Sequence, residues 1–400
     1  MSQKLFRITG NDTKRINDLL KMSLLEETSH QPCYKKQPYV ISFLYRSPKE
    51  LKTKIQNVLV KKINTARTKK ICILFTGQGS QYPAMAREAY QTSQCIKESL
   101  DSYSKGIKKH VEIDLMKCLL DDNDKIHQTE YTQPSIVMLQ MALNNLWYKL
   151  GIEGDYFIGH SVGEFSALYS HGLYDRDDIL KLITKRAKLM QELKVTGGMI
   201  AIASNKKIID EIIEDNHIDL DYAAFNSPTQ TVLAGENGEI EAMKKCCQEK
   251  RIKARVLNVS HPFHSRLMQP MTEKFKSYYE NFKVKNKHTK GVIFSNVYAK
   301  ELTAAQIRDD YWSKHILKPV NFTDSLHEAR KKGAKIFLEI GPDTILTNLA
   351  KRTLSDYDDL IFLSSMKKNQ TFKEKLLETA LMLDNNGHHI EWKQIESLLS

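Results

Sequence analysis

A serine between glycines, a scatter of histidines and one arginine among leucines and isoleucines are the residues of this chain that could do chemistry. Gly159-His160-Ser161-Val162-Gly163 fits the pattern G-x-S-x-G. With 17 glycines and 27 serines in 400 residues, chance supplies roughly 0.05 such matches. The setting adds weight. The apolar run DYFIG leads into the motif, and HSVGEFSALYSHG follows as a helix that Gly172 is placed to close. This is the strand, sharp turn and helix of a nucleophile elbow. Glycines on both sides let the chain pass closely while the serine takes strained backbone angles. The hydroxyl then sits at a helix N-terminus, where backbone N–H groups can receive a developing oxyanion. The plainer alternative is a turn serine that caps a helix.

A serine needs a base to become a nucleophile. The chain has 13 histidines, and residue types alone rank His264, in VSHPFHSRLMQP, no higher than His261 or His160. In DRDDILKLITKRAKLMQEL, Ile179, Leu182, Ile183, Met190 and Leu193 form an apolar stripe at helical spacing, with Arg186 in its middle. A guanidinium facing a core must find an anion, because an unpaired buried charge is costly. It either snorkels out or pairs with a structural carboxylate, or it clamps a substrate carboxylate with two parallel hydrogen bonds. The sequence leaves both open.

The elements around these residues alternate. YVISFLY (39–45) reads as a strand, and SPKELKTKIQNVLVKKI after it as a helix with Ser47 as N-cap. ICILFTGQGSQ is a buried strand entering a glycine turn, and AKIFLEIGP is another strand that ends at a turn. Between about 195 and 260, the runs GMIAIAS, LDYAAFN, QTVLAG and RVLNVS enclose helical stretches, the pattern of a small α/β insert. Strands alternating with helices predict an α/β fold with a mainly parallel sheet covered on both faces.

Bulk properties narrow the class. At 41% apolar and 27% charged residues the chain is an ordinary soluble globular one. No run of roughly 18 apolar residues suggests a membrane span, and the opening MSQKLFRITG lacks the apolar core of a signal peptide. The six cysteines form no CxxC pair, so neither a zinc site nor a disulfide framework is expected, and reduced thiols in a cytoplasm fit. A net charge of +12 reads as a lysine-rich surface or as attraction to an acidic partner. No nucleic-acid-binding signature accompanies it.

Together, FTGQGSQ, GHSVGEFSAL, KRAKLMQ, AAFNSPTQTVLAG, VSHPFHS and LEIGPDTIL stand in the order found in malonyl-CoA:acyl carrier protein transacylases. The chain resembles most the acyltransferase domains of polyketide synthases. The resemblance covers most of the chain. PYVISFLYRSPKELKTKI resembles the linker that precedes such a domain, and ALMLDNNGHHIEW the one that follows. It implies a linker at 1–69, an α/β-hydrolase-like core at 70–194 and 261–355, a ferredoxin-like subdomain at 195–260, and a second linker at 356–400. No ketosynthase or carrier sequence is present, which resembles a free-standing, trans-acting acyltransferase or an excised domain.

The resemblance also implies roles. Ser161 resembles the serine that is acylated, and His264 its base. A backbone carbonyl, expected at His315, would orient that histidine. Gln78 and Val162 match the two oxyanion-hole N–H donors. Arg186 matches the arginine that binds the malonyl carboxylate, and Asn226 a pocket asparagine. Gln81 and Glu164 are expected to serve in packing and helix-end electrostatics. HPFH resembles the HAFH pattern linked with malonyl, with Phe263 narrowing the pocket. Pro262 departs from the usual alanine. A methyl group in such a pocket discriminates by only ~1–3 kcal/mol, so preference is expected rather than exclusivity. The implied activity is transfer of malonyl from malonyl-CoA to the phosphopantetheine of an acidic acyl carrier protein, by a monomer with no bound cofactor or metal. An editing acyl hydrolase and a catalytically inactive scaffold are the alternatives.

Overall fold

The computed structural model describes residues 4–25, 32–35, 37–60, 68–108, 114–285 and 291–398. The chain divides into two compact units. The first contains residues 1–69, 145–153 and 370–400. Strands β1 (Lys4–Gly10) and β2 (Tyr39–Tyr45) pair antiparallel there, with Phe6 opposite Phe43. The helices Thr13–Leu25 and Pro48–Val60 add Ile16, Leu20 and Ile55 to a core shared with Phe6 and Ile8. The second helix starts where its cap predicts, with Ser47 Oγ accepting from the Glu50 N–H at 3.2 Å. The end of that expected helix, from residue 61, lies outside the described residues. Strand β1 and the helix Thr13–Leu25 were not legible in the sequence. The strand shows no clean alternation because it buries Arg7 and Thr9 as well as Leu5, Phe6 and Ile8, and Asp384 of the helix Phe372–Asp384 meets the Arg7 guanidinium at 2.9 Å.

The second unit contains residues 70–144 and 154–369. Its main sheet is parallel throughout and comprises β3 (Lys70–Phe75), β4 (Tyr156–Gly159), β9 (Val292–Phe294), β10 (Ala334–Ile340) and β11 (Ile361–Ser364). The order is β11-β10-β3-β4-β9, so β3, β10 and β4 are interior and read as continuous apolar runs. β9 and β11, three and four residues long at the edges, carry too little pattern to be read.

The insert forms a four-stranded antiparallel sheet of β5 (Gly198–Ile202), β6 (Asp221–Ser227), β7 (Gln230–Gly235) and β8 (Ala254–Val256), in the order β6-β7-β5-β8. The helices Lys206–Asn216 and Asn237–Glu249 complete a βαββαβ unit of ferredoxin-like topology. Ile200, Ile209, Ile212, Leu233 and Met243 form its own core. The α/β class, the parallel sheet and the antiparallel insert are therefore present.

Candidate active site

The chain turns sharply at the C-terminal end of β4. Ser161 takes φ +50° between the end of the strand at Gly159 and the helix Gly163–His171. For an L-residue this left-handed conformation costs on the order of 1–2 kcal/mol. The two motif glycines are a packing requirement. A Cβ on Gly159 would lie 2.2 Å from the Glu164 nitrogen, and one on Gly163 2.2 Å from the Phe75 carbonyl oxygen. The elbow is folded directly against the end of β3, where the His160 N–H donates to Phe75 O at 2.8 Å. The helix ends at Gly172 with φ +86°, as its sequence predicts.

Ser161 Oγ stands 2.7 Å from His264 Nε2. His264 Nδ1–H donates to the carbonyl of Lys318 at 3.0 Å, which leaves Nε2 as an acceptor for the serine hydroxyl. The orienting carbonyl was expected at His315; the close hydrogen bond goes to Lys318, with the His315 carbonyl acting on the ring as a weaker second partner. His315 is in the last turn of the helix Tyr311–Leu317, where Pro319 offers its carbonyl no N–H, and Lys318 follows in extended backbone (ψ 154°). The imidazole of His315 instead packs edge-on to Phe165. Burial and the nearby Arg186 and His160 push His264 down to about 3, so the ring is neutral at physiological pH. His261 and His160 engage other partners: Nε2 of His261 meets Leu193 O at 3.0 Å, and Nε2 of His160 meets Asn226 Oδ1 at 2.8 Å.

Arg186 is 1% exposed, inside the apolar face of the helix Arg176–Gln191 as its position in the stripe predicts. Leu193 falls beyond the end of that helix. One terminal nitrogen of the guanidinium donates to Gln133 Oε1 at 2.5 Å, and its central carbon lies 5.8 Å from the centre of the Phe165 ring. Among the described residues no carboxylate pairs with it, and its Nε–H has no partner. Burial lowers its pKa to about 9, which still leaves it a cation at neutral pH.

Ser161, His264, Arg186, Gln78, Asn226 and Phe263 all line one cavity of about 170 Å³. Among the described residues, no acceptor within the chain takes the backbone N–H of Gln78 or Val162. Gln81 caps the glycine turn, its Oε1 accepting the Gly79 N–H at 2.7 Å. Gln133, Lys318 and Asn296 were missed in the sequence. Gln133 bridges Arg186 to Gln78 Oε1, 3.2 Å away; it stands in the polar first turns of the helix Thr129–Lys149, where no local pattern marks it. Asn296 Oδ1 accepts the Ser161 N–H at 3.0 Å. Glu164, expected at a helix end, is fully buried and accepts from the Tyr311 hydroxyl and from the Asn296 N–H at 2.9 Å. Desolvation raises it to about 7.

The arrangement can run acyl transfer. It offers an alcohol on a neutral imidazole, two unclaimed N–H groups beside it, and a buried cation to hold an anionic substrate. Among the described residues no cluster of His, Cys, Asp and Glu could hold a metal ion, and no helix is long and apolar enough to cross a membrane.

The family model described as acyl transferase domain matches residues 73–390. The chain is 32% identical over 316 residues to the polyketide biosynthesis protein PksE of Bacillus subtilis, covering 77% of this chain and 39% of that one. It is 29% identical over 330 residues to the phenolphthiocerol synthesis polyketide synthase type I Pks15/1 of Mycobacterium marinum, covering 82% of this chain and only 15% of that one. The crystal structure of malonyl CoA-acyl carrier protein transacylase from Clostridium perfringens superimposes with a TM-score of 0.71 at 30% identity, covering 79% of this chain and 98% of the other.

Proposed function

Because the chain belongs to the acyl transferase domain family, we propose that it moves malonyl from malonyl-CoA to the phosphopantetheine thiol of an acyl carrier protein. The observation that carries this reading is Arg186, a buried cation without a carboxylate partner in the cavity of the Ser161–His264 pair. An acyl group with a free carboxylate supplies the missing anion, whereas a simple acyl chain leaves the charge buried and unpaired.

The reaction is a double displacement. His264 Nε2 takes the Ser161 proton as the alkoxide attacks the thioester carbon. The N–H groups of Gln78 and Val162 hold the oxyanion. The intermediate collapses by breaking the C–S bond, the CoA thiolate leaves with the proton from His264, and malonyl remains as an ester on Ser161. The carrier's thiol then enters, gives its proton to His264 and reverses the sequence. Lys318 keeps the imidazole in the tautomer this needs. Asn226 and Phe263 bound the acyl pocket. The net charge of +12 suits an acidic carrier, in the cytoplasm and in polyketide or fatty acid synthesis.

Incubation with a panel of acyl-CoA donors, with the intact mass read afterwards, tests the proposal. A malonyl increment that is absent in Ser161→Ala and passes to added carrier protein is expected. Faster labelling by acetyl-CoA than by malonyl-CoA, or release of free acid in place of transfer, refutes it and favours the editing hydrolase.

A further inference from the structure

The mechanism above leaves a cluster of buried polar groups behind Ser161 without a role, and Asn296 is its centre. Ser161 occupies a left-handed turn, where its N–H can enter no helical ladder. An unpartnered N–H at that place would favour another turn. Asn296 Oδ1 takes it at 3.0 Å.

The opposite side of the carboxamide fixes its orientation. Nδ2 donates to the Gly159 carbonyl at 2.6 Å and also to the Glu164 carboxylate. Both partners on that side are acceptors and the partner on the other is a donor, so a flipped amide would lose all three bonds. Glu164 itself is held by Tyr311, whose hydroxyl meets Ser295 Oγ at 2.7 Å, and lies 3.9 Å from His315 Nε2.

The main chain of Asn296 reaches the other half of the catalytic pair. Its carbonyl accepts from both the N–H and the Nδ2 of Asn321, each at 2.9 Å. Asn321 lies three residues after Lys318, whose carbonyl orients His264. One residue thus grips the serine turn with its side chain and the base-orienting segment with its backbone.

We propose that Asn296 is a positioning residue that braces the Ser161 turn against the Lys318–Asn321 segment and so sets the Oγ–Nε2 separation, with Glu164 locking its carboxamide. The inference rests on Ser161 acting as the nucleophile proposed above. Asn296 touches neither the malonyl cavity nor Arg186, so it governs reactivity and not donor affinity.

Two readouts separate this inference from the functional reading. A fluorophosphonate probe reports Ser161 reactivity whatever the natural acyl group, and malonyl-CoA kinetics report the proposed reaction. In Asn296→Ala, both probe labelling and malonyl kcat should fall about 100-fold, the scale of a misplaced reacting group, with KM within about threefold of wild type. Glu164→Gln should show the same split with a smaller loss, because its amide opposes the Asn296 donors. If Asn296→Ala does not fold, Asn296→Asp takes its place: it keeps an acceptor for Ser161 but loses the Nδ2 donors, and the same kcat-only loss is expected. Unchanged probe labelling in the folded variant, or a rise in KM at constant kcat, overturns the proposal. Wild-type protein that labels with the probe but forms no malonyl adduct overturns the functional reading alone.

Discussion

Arg186→Met removes a cation from a place where the unliganded protein has no use for it. The side chain is 1% exposed, and burial alone drops its pKa from 12.5 to about 9, corresponding to roughly 5 kcal/mol of lost solvation. Methionine keeps the apolar length against Phe165. It forfeits the bond to Gln133, worth about 1–3 kcal/mol since the donor is charged. The balance is a variant more stable than wild type by roughly 2–4 kcal/mol, in line with replacements of buried ion pairs by hydrophobic residues. Binding of malonyl moves the opposite way. Two charge-assisted hydrogen bonds to its carboxylate are worth about 3–6 kcal/mol, so kcat/KM for malonyl-CoA should fall roughly 10²- to 10⁴-fold, while acetyl-CoA loses little or gains. Urea unfolding gives the first quantity, and adduct formation on Ser161 with the two donors gives the second. A variant that is less stable than wild type and loses both activities equally would show Arg186 to be a structural ion, and the argument would fail.

Replacing the base, as in His264→Ala, should slow adduct formation by about 10²- to 10⁴-fold with malonyl-CoA binding retained, measured by quenched-flow mass spectrometry. The depressed His264 also predicts a pH dependence. Between about 3 and the ordinary value of 6.5 the unfolded chain carries more protons at this position than the folded one, so the group subtracts stability as pH falls. His264→Gln should therefore gain on wild type in denaturant midpoint between pH 7.5 and pH 5; an unchanged difference would contradict the depressed value. Gly163→Ala should lower Tm sharply or prevent folding, since its methyl would meet the Phe75 carbonyl at 2.2 Å. In the first unit, Asp384→Ala leaves Arg7 buried without its carboxylate and should cost about 3–5 kcal/mol in an unfolding titration.

Local pattern determined much of this protein. The central strands β3, β4 and β10 are apolar runs, the elbow announces itself by two glycines and a serine, and Arg186 stands out because a charge interrupts a hydrophobic stripe. Each is a signal within one or two turns of chain, where periodicity and backbone sterics act. The sequence could not choose His264 over His261 or His160 by residue type; resemblance alone singled it out. That choice is made in space, where 103 residues of separation close to 2.7 Å. Tertiary structure also gave His264 its close bond to the Lys318 carbonyl, three residues beyond the expected His315, because the helix ends at Leu317 and Lys318 continues in extended backbone. Arg7 and Asn296 were illegible for the same reason. Their partners, Asp384 and the Ser161 turn, come from distant parts of the chain, and a buried polar group is explained only by what it meets.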